Sequence, residues 1–170
     1  MTGESIPVRI ARATVERFVR TGEAPLPAEV QAADGGPSGC FVSIHARGAL
    51  RGCIGTIAPT AATLTEEIIR NAVSACSEDP RFDPVGPDEL EALEYSVDVL
   101  EPSEPVSSRA ELDPKKYGVI VTSGFRRGLL LPDLDGVDTV DAQLAIACRK
   151  AGIPPEGPFD IRRFRVTRHR

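Results

Sequence analysis

Cys40-Phe41-Val42-Ser43-Ile44-His45-Ala46, then Arg47-Gly48, then Leu50-Arg51-Gly52-Cys53-Ile54-Gly55-Thr56-Ile57 read together as two strands joined by a tight turn. The first run alternates, with Cys40, Val42 and Ile44 on one face and Phe41, Ser43 and His45 on the other. That is the period of two that a strand imposes. Arg47-Gly48 supplies the turn, so the pair forms an antiparallel hairpin. The second run is the unusual one. Glycine packs nothing and loses the most backbone entropy on ordering, so strands avoid it. Gly52 and Gly55 within four residues therefore predict a bulge, or a place where something approaches the backbone closely. An unbroken strand sets Arg51 and Cys53 on one face. A guanidinium there lowers the thiol pKa and gives an anion a place to sit.

Outward from this hairpin the chain alternates irregularly between helices and strands. Before it, Val8, Ala11, Val15, Phe18 and Val19 recur at helical spacing over Ile6 to Thr21, and Gly22 is placed to end that helix. A loop rich in proline and glycine, Glu23 to Gly39, leads into the hairpin. After it, Thr63-Leu64-Thr65-Glu66 is a capping box that opens a second helix, which stops by Asp79 because Pro80 follows. Glu66 and Arg70, four apart, are spaced to pair on its wet face. Strands follow at Tyr95–Leu100, Tyr117–Ser123 and Gly128–Leu131, with Ser123-Gly124 turning between the last two. Asp138 or Thr139 caps a final helix whose buried stripe is Val140, Leu144, Cys148 and Ala151, and Gly152 ends it. Ile161 to Thr167 closes the chain as one strand with alternate arginines in solvent. The pattern predicts an α+β fold, a mostly antiparallel sheet flanked by about three main helices. The 170 residues fit a single domain, with room for a small subdomain within roughly 100–135.

Composition narrows the function classes. A net charge of −5 gives no general case for nucleic-acid or membrane binding. No apolar run approaches the roughly 20 residues of a membrane span. There is no secretory leader pattern, and Cys40, Cys53, Cys76 and Cys148 lie far apart, which together predict a reduced, cytoplasmic protein. No C-x-x-C pair suggests zinc. The acidic run Asp133, Asp135, Asp138, Asp141 lacks the sixth-position glycine of a calcium loop, and no phosphate-cradling glycine loop occurs. Neither a metal nor a cofactor is expected.

These motifs add up to a resemblance. Leu50-Arg51-Gly52-Cys53-Ile54-Gly55-Thr56, Asp79-Pro80-Arg81-Phe82, Lys116-Tyr117-Gly118-Val119, Arg127-Gly128-Leu129-Leu130-Leu131-Pro132-Asp133, Gly136-Val137-Asp138-Thr139-Val140, Gln143-Leu144 and Arg149-Lys150-Ala151-Gly152-Ile153 stand in order along nearly the whole chain. They resemble the AMMECR family, the protein A component of the AmmeMemoRadiSam system. The resemblance implies an α+β fold with a larger part and a smaller subdomain, and association with a Memo-like protein and a radical SAM protein. It brings no established reaction. Phe159 stands where a typical member has tryptophan.

Two chemistries compete for the hairpin. In the first, Cys53 is a thiolate nucleophile and Arg51 its activator, acting on a small anionic or protein-borne substrate. Gly52, Gly55, Thr56, Asp79, Arg81, Arg127 and Asp133 are then the binding residues around them. With His45 opposite Leu50 or Ala49, Cys53 lies three or four residues further along, about 10–13 Å away, so a cysteine–histidine dyad is unsupported. In the second, the chain is a non-catalytic ligand- or protein-binding module and Cys53 is a small buried hydrophobe. The sequence leaves enzyme and module open. A third reading, RNA binding through basic Arg162–Arg170, runs against the overall acidity and the scarcity of aromatics.

Overall fold

In the computed structural model, which describes residues 3–170, helix α1 spans Ile6–Thr21. Pro7 lies in its first turn, where the missing N–H costs nothing, and Gly22 ends it at φ 78°. Strand β1 is Cys40–Ala46 and β2 is Ala49–Gly55. Both turn residues between them, Arg47 and Gly48, have positive φ, the geometry that matches strand twist in a two-residue hairpin. Helix α2, Leu64–Ser77, opens with the expected reciprocal Thr63–Glu66 capping box. A short 3-10 segment, Pro87–Ala92, then leads into β3, Leu93–Leu100. There follow β4 (Glu104–Pro105), β5 (Gly118–Ser123), β6 (Arg126–Leu130), α3 (Val140–Ala151), β7 (Asp160–Phe164) and β8 (Val166–His169). Thr139 caps α3 and Gly152, at φ 67°, terminates it.

The strands form two four-stranded sheets, ordered β2-β1-β3-β8 and β4-β7-β5-β6, and β1–β2, β1–β3, β4–β7, β5–β6 and β5–β7 all pair antiparallel. With three α-helices among the described residues, this is an α+β fold. The chain divides into two units, one running to Val99 and taking back Thr167–Arg170, the other Leu100–Val166. In the first, α1 and α2 cover one sheet face, burying Cys40, Val42, Ile44 and Val97 against Val8, Val15, Ile68 and Ala72. In the second, α3 buries Leu144, Ala147 and Cys148 against Val119, Val121 and Leu130, and Phe159 packs at the edge of that core. This second unit extends beyond the 100–135 stretch, because α3 and β7 complete its layers.

Three local expectations are corrected. The second hairpin strand ends at Gly55 instead of Ile57: the Thr56 N–H makes a last bond to the Cys40 carbonyl, and its hydroxyl meets the α2 side chains Glu67 and Asn71. Arg70 donates to the Thr60 carbonyl at 3.2 Å, and Glu66 is occupied by the cap, so the two do not pair. The C-terminal stretch is two strands in different sheets, broken at Arg165, whose carbonyl accepts from the Glu101 N–H. Its arginines are not idle in solvent. Arg162 holds Ser103, Arg163 holds Glu104, Arg165 holds the Tyr117 hydroxyl and Arg168 holds Asp98.

Candidate functional site

The hairpin register explains where each candidate goes. Ser43 faces Cys53 and Ile44 faces Gly52, but His45 faces Leu50, so Arg51 is the extra residue of a bulge. The strand is broken where a shared face for Arg51 and Cys53 needed it continuous. Arg51 turns instead to the segment after α2. Its Nε and Nη2 donate to the Glu89 carboxylate at 2.7 and 2.8 Å, and Nη1 donates to the Asp83 carbonyl at 2.9 Å. Arg51 is therefore a clamp on that segment; the cation acting on the Cys53 thiol is Arg81. The two glycines do mark close approaches, and the protein itself is what approaches. A Cβ on Gly52 would sit 2.1 Å from the Ala75 carbonyl oxygen of α2. A Cβ on Gly55 would sit 2.3 Å from the Phe41 ring.

Strand β2 is the outer strand of its sheet, so its outward backbone groups need partners from elsewhere. Asp79 and Arg81 supply them. Asp79 Oδ2 accepts from the Cys53 N–H at 2.9 Å, and Arg81 Nη2 donates to the Cys53 carbonyl at 3.3 Å. Asp79 is buried and also accepts from Arg81 Nε at 3.0 Å, from Arg81 Nη2 at 2.7 Å and from the Arg81 N–H at 3.1 Å. Foremost the Arg81 hydrogen bond, and then the two backbone N–H groups, outweigh burial and hold the Asp79 carboxyl far below the usual carboxylate range. Arg81 is 54% exposed, lies 5.5 Å from the centre of the Phe82 ring, and uses only Nε and Nη2 in these bonds. Its Nη1 stays open.

The thiol itself is only partly buried, unlike Cys40, Cys76 and Cys148, and all four cysteines are free. Burial pushes the Cys53 thiol up; the Ser43 hydrogen bond and the Arg81 charge pull the other way without cancelling it, and Asp98 and Asp79 add to the rise. Ser43 Oγ donates to Cys53 Sγ at 3.2 Å. The face shared with Cys53 carries Ser43 opposite Ser96 and Phe41 opposite Asp98, and buried Asp98 is paired with Arg168 at 2.7 Å. The bulge sets Cys53 opposite Ser43, two residues along β1 from His45 and so nearer to it than an unbroken register allows, yet His45 makes no hydrogen bond to the thiol. His169 is on β8, three strands away across the sheet, about 14 Å at the usual strand spacing. Among the described residues no histidine hydrogen-bonds to the Cys53 thiol.

Thr56 faces the helix side. Its hydroxyl donates to Glu67 at 2.6 Å and accepts from Asn71 at 3.2 Å. Glu67, fully buried, also accepts from the N–H and hydroxyl of Thr60 and from the Ala61 N–H. Burial opposes its charge, but these bonds together keep its carboxyl below the ordinary range. Its position beside the apolar stripe of α2 carried no sequence signal, because the donors come from the Thr56–Ala61 turn. Arg127 and Asp133 belong to the second unit. Arg127 is an exposed β6 residue opposite Thr122. Asp133 follows β6 at φ 54°, with its N–H bonded to the Pro114 carbonyl. The hydrogen bonds around Cys53 draw on first-unit residues alone. Among the described residues, no group of His, Cys, Asp and Glu side chains could hold a metal ion, and no helix is long and apolar enough to cross a membrane.

Known proteins resemble this chain in sequence and in fold. The AMMECR1 family profile matches residues 8–169. A protein from Thermotoga maritima is 50% identical over 174 residues, covering all of both chains. One from Clostridium acetobutylicum is also 50% identical, over 96% of this chain, which spans only 35% of that longer relative. The crystal structure of an uncharacterised protein from Pyrococcus horikoshii superposes with a TM-score of 0.86 at 31% identity, over 95% of this chain and 88% of that one. The chain belongs to the AMMECR1 family.

Proposed function

We propose that this chain binds a small anionic or protein-borne ligand at the Cys53 face of its first sheet, with Arg81 as the anchor. The observation that carries the reading is Arg81 itself. One side of its guanidinium is fixed by buried Asp79 and the Cys53 carbonyl, while Nη1 and half the side chain stay open beside a partly exposed thiol. A cation held in place by a buried carboxylate presents a charge without losing side-chain freedom on binding. Cys53 then serves as a neutral hydrogen-bonding and apolar contact. Nucleophilic attack by Cys53 is the weaker reading, since burial disfavours its thiolate and the hydrogen bond it receives comes from a hydroxyl. The radical SAM and Memo-like partners implied by the family resemblance fit this division: they bring the reaction, and this chain brings the binding face.

Alkylation of the native protein by iodoacetamide across pH, with mass spectrometry on each cysteine, separates the readings. Cys53 is expected to label slowly at neutral pH, its rate rising only above the ordinary thiol range of about 8.5. Inorganic phosphate or succinate should protect it, and Arg81→Gln should abolish the protection while Arg51→Ala leaves it in place. Rapid labelling well below pH 8 transfers the case to the nucleophile. Failure of both anions to protect Cys53 removes the binding proposal.

A further inference from the structure

The groups beside the Arg81 anchor decide what kind of anion it can hold. On the sheet face that carries the thiol, Cys53 lies opposite Ser43, and Ser43 lies opposite Ser96. Three small polar side chains therefore form one row across β2, β1 and β3, at about 4.8 Å per strand. Phe41 borders the row on one side and His45 on the other, each two residues along β1 from Ser43. Cys53, Ser96, Phe41 and His45 are partly exposed, and Ser43 is the buried middle of the row. Arg81 stands at the β2 end, with Nη2 on the Cys53 carbonyl. The Ser43 hydroxyl donates its one proton to Cys53 Sγ at 3.2 Å, so what it still offers a ligand is an acceptor. Cys53 takes that bond on sulfur and keeps its own S–H to donate, and burial favours the protonated thiol. The Ser96 hydroxyl makes no hydrogen bond among the described residues.

We propose that the Cys53 face recognises an α-carboxylate together with the N–H on the same carbon, as found in a peptide C-terminus or a free amino acid. This rests on Arg81 being the anchor. The carboxylate spans Arg81 Nη1 and the Cys53 S–H, and the N–H meets Ser43 Oγ. The spacing fits: an α-nitrogen lies about 2.5 Å from its carboxylate carbon, and the donor sulfur and acceptor oxygen of the row are 3.2 Å apart. The charges fit as well. Arg81 is paired with Asp79, and Arg168 with Asp98, so the face has no surplus of positive charge for a phosphate dianion. A single carboxylate whose neighbouring group donates a hydrogen bond suits such a balanced site. In a peptide the chain runs on toward Ser96, since one extended residue advances about 3.4 Å against a strand spacing of about 4.8 Å. The Ser96 hydroxyl then donates to the preceding carbonyl.

The test titrates the full chain by calorimetry with acetyl-Ala-Ala, with acetyl-Ala-lactate, in which an ester oxygen replaces the terminal N–H, with alanine and with succinate. The ligand concentration that halves iodoacetamide labelling of Cys53 places each of them at the row. Acetyl-Ala-Ala is expected to bind more tightly than succinate. The ester should bind about tenfold or more weakly than the amide, because it sets an oxygen against the Ser43 oxygen. Ser43→Ala should remove that difference and leave protection by succinate, which rests on Arg81, unchanged. Melting curves check that the variant folds, and the comparison of amide with ester in the wild type stands without it. Equal affinity of amide and ester in the wild type overturns the proposal, as does a difference that survives Ser43→Ala. If succinate still protects Cys53 in those cases, the anion site stands and only its ligand class falls. If neither succinate nor phosphate protects, both fall together. Within the proposal, alanine binding as tightly as the peptide assigns the row to free amino acids. Tighter peptide binding, weakened by Ser96→Ala, assigns it to peptide C-termini.

Discussion

The two units pack their helices by the same device and close their sheet edges by different ones. In the first, Gly52 lets the Ala75 carbonyl of α2 reach the strand; in the second, Gly128 does the same for the Ala147 carbonyl of α3. In each, another glycine lies under a ring, Gly55 under Phe41 and Gly118 under Phe164. The edges differ. On β2 the outward N–H and C=O of Cys53 are taken by a buried carboxylate and its arginine. On β6, Ser123 and Arg126 are the hydrogen-bonded pair flanking the turn, so the backbone groups of Arg127 and Leu129 point outward. There the cover is the Lys150 ammonium, on the Leu129 carbonyl at 2.8 Å. A lysine at an edge discourages pairing. A buried carboxylate does more, because it fixes the strand, the arginine and the thiol in one frame.

The shared device is the place for the largest effect. Gly52→Ala puts a methyl 2.1 Å from a helix carbonyl, and Gly128→Ala puts one 2.3 Å from its counterpart. Neither obstacle is a movable side-chain end, so each helix must shift off its sheet. Each substitution is expected to cost about 3 kcal/mol, seen as a lowered urea midpoint at unchanged slope. A Gly128→Ala protein as stable as the wild type would break the parallel and leave close helix packing as a property of the first unit alone.

This device also marks the limit of what could be read in advance. Helix α1, strand β1 and the Thr63 and Thr139 caps were legible because each is decided by residues within one or two turns. The glycines announced a close approach, but the thing approaching is 23 residues further on at Ala75, or across the hairpin at Phe41. The Arg51–Cys53 pairing failed for a reason of register. One bulged residue reverses which face a side chain takes, and alternation along a single strand cannot show it. Asp79 and Arg81 were visible as candidates from their motif, yet their task at the Cys53 backbone depends on β2 being an edge strand, which only the sheet order reveals. The second strand of the C-terminal run was hidden similarly: Arg165 looks like any other residue of an alternating stretch until its carbonyl is found bonded to Glu101.

Asp79→Asn sharpens the contrast between edges. It removes the charge that two backbone N–H groups and Arg81 share, and it leaves those donors facing an amide. With Arg81 half exposed, a loss of about 2 kcal/mol is expected, below that for a fully buried pair. The sign with pH follows from the lowered carboxyl. Its contribution is complete above the unfolded-state value of about 4 and fades as pH falls below it toward the lower folded value. Urea midpoints of wild type and Asp79→Asn should therefore converge on acidification from pH 7 to pH 3. A gap that stays constant would mean that Asp79 acts through shape, and the charged frame around Cys53 would lose its basis.

Lys150→Met should have the smallest effect on stability and a different kind of consequence. The thioether keeps the apolar stem and removes the cap on Leu129, so the urea midpoint should move by only a small part of the Asp79→Asn shift. What the substitution uncovers is a strand edge whose Leu129 carbonyl has lost its donor, next to outward groups of Arg127. Light scattering as a function of concentration should then show self-association in Lys150→Met that neither the wild type nor Asp79→Asn displays. The reason for the asymmetry is geometric. At β2, losing the carboxylate still leaves the segment after α2 in place, held by Arg51 to Glu89 and by the Val85 N–H to the Cys76 carbonyl. At β6, Arg126 ties the turn end of the strand to the Gly152 carbonyl, but the Leu129 carbonyl is met by the Lys150 ammonium, so removing that ammonium exposes this part of the edge. If Lys150→Met scatters light as the wild type does, β6 is protected by something other than charge, and the two edges differ less than their hydrogen bonds suggest.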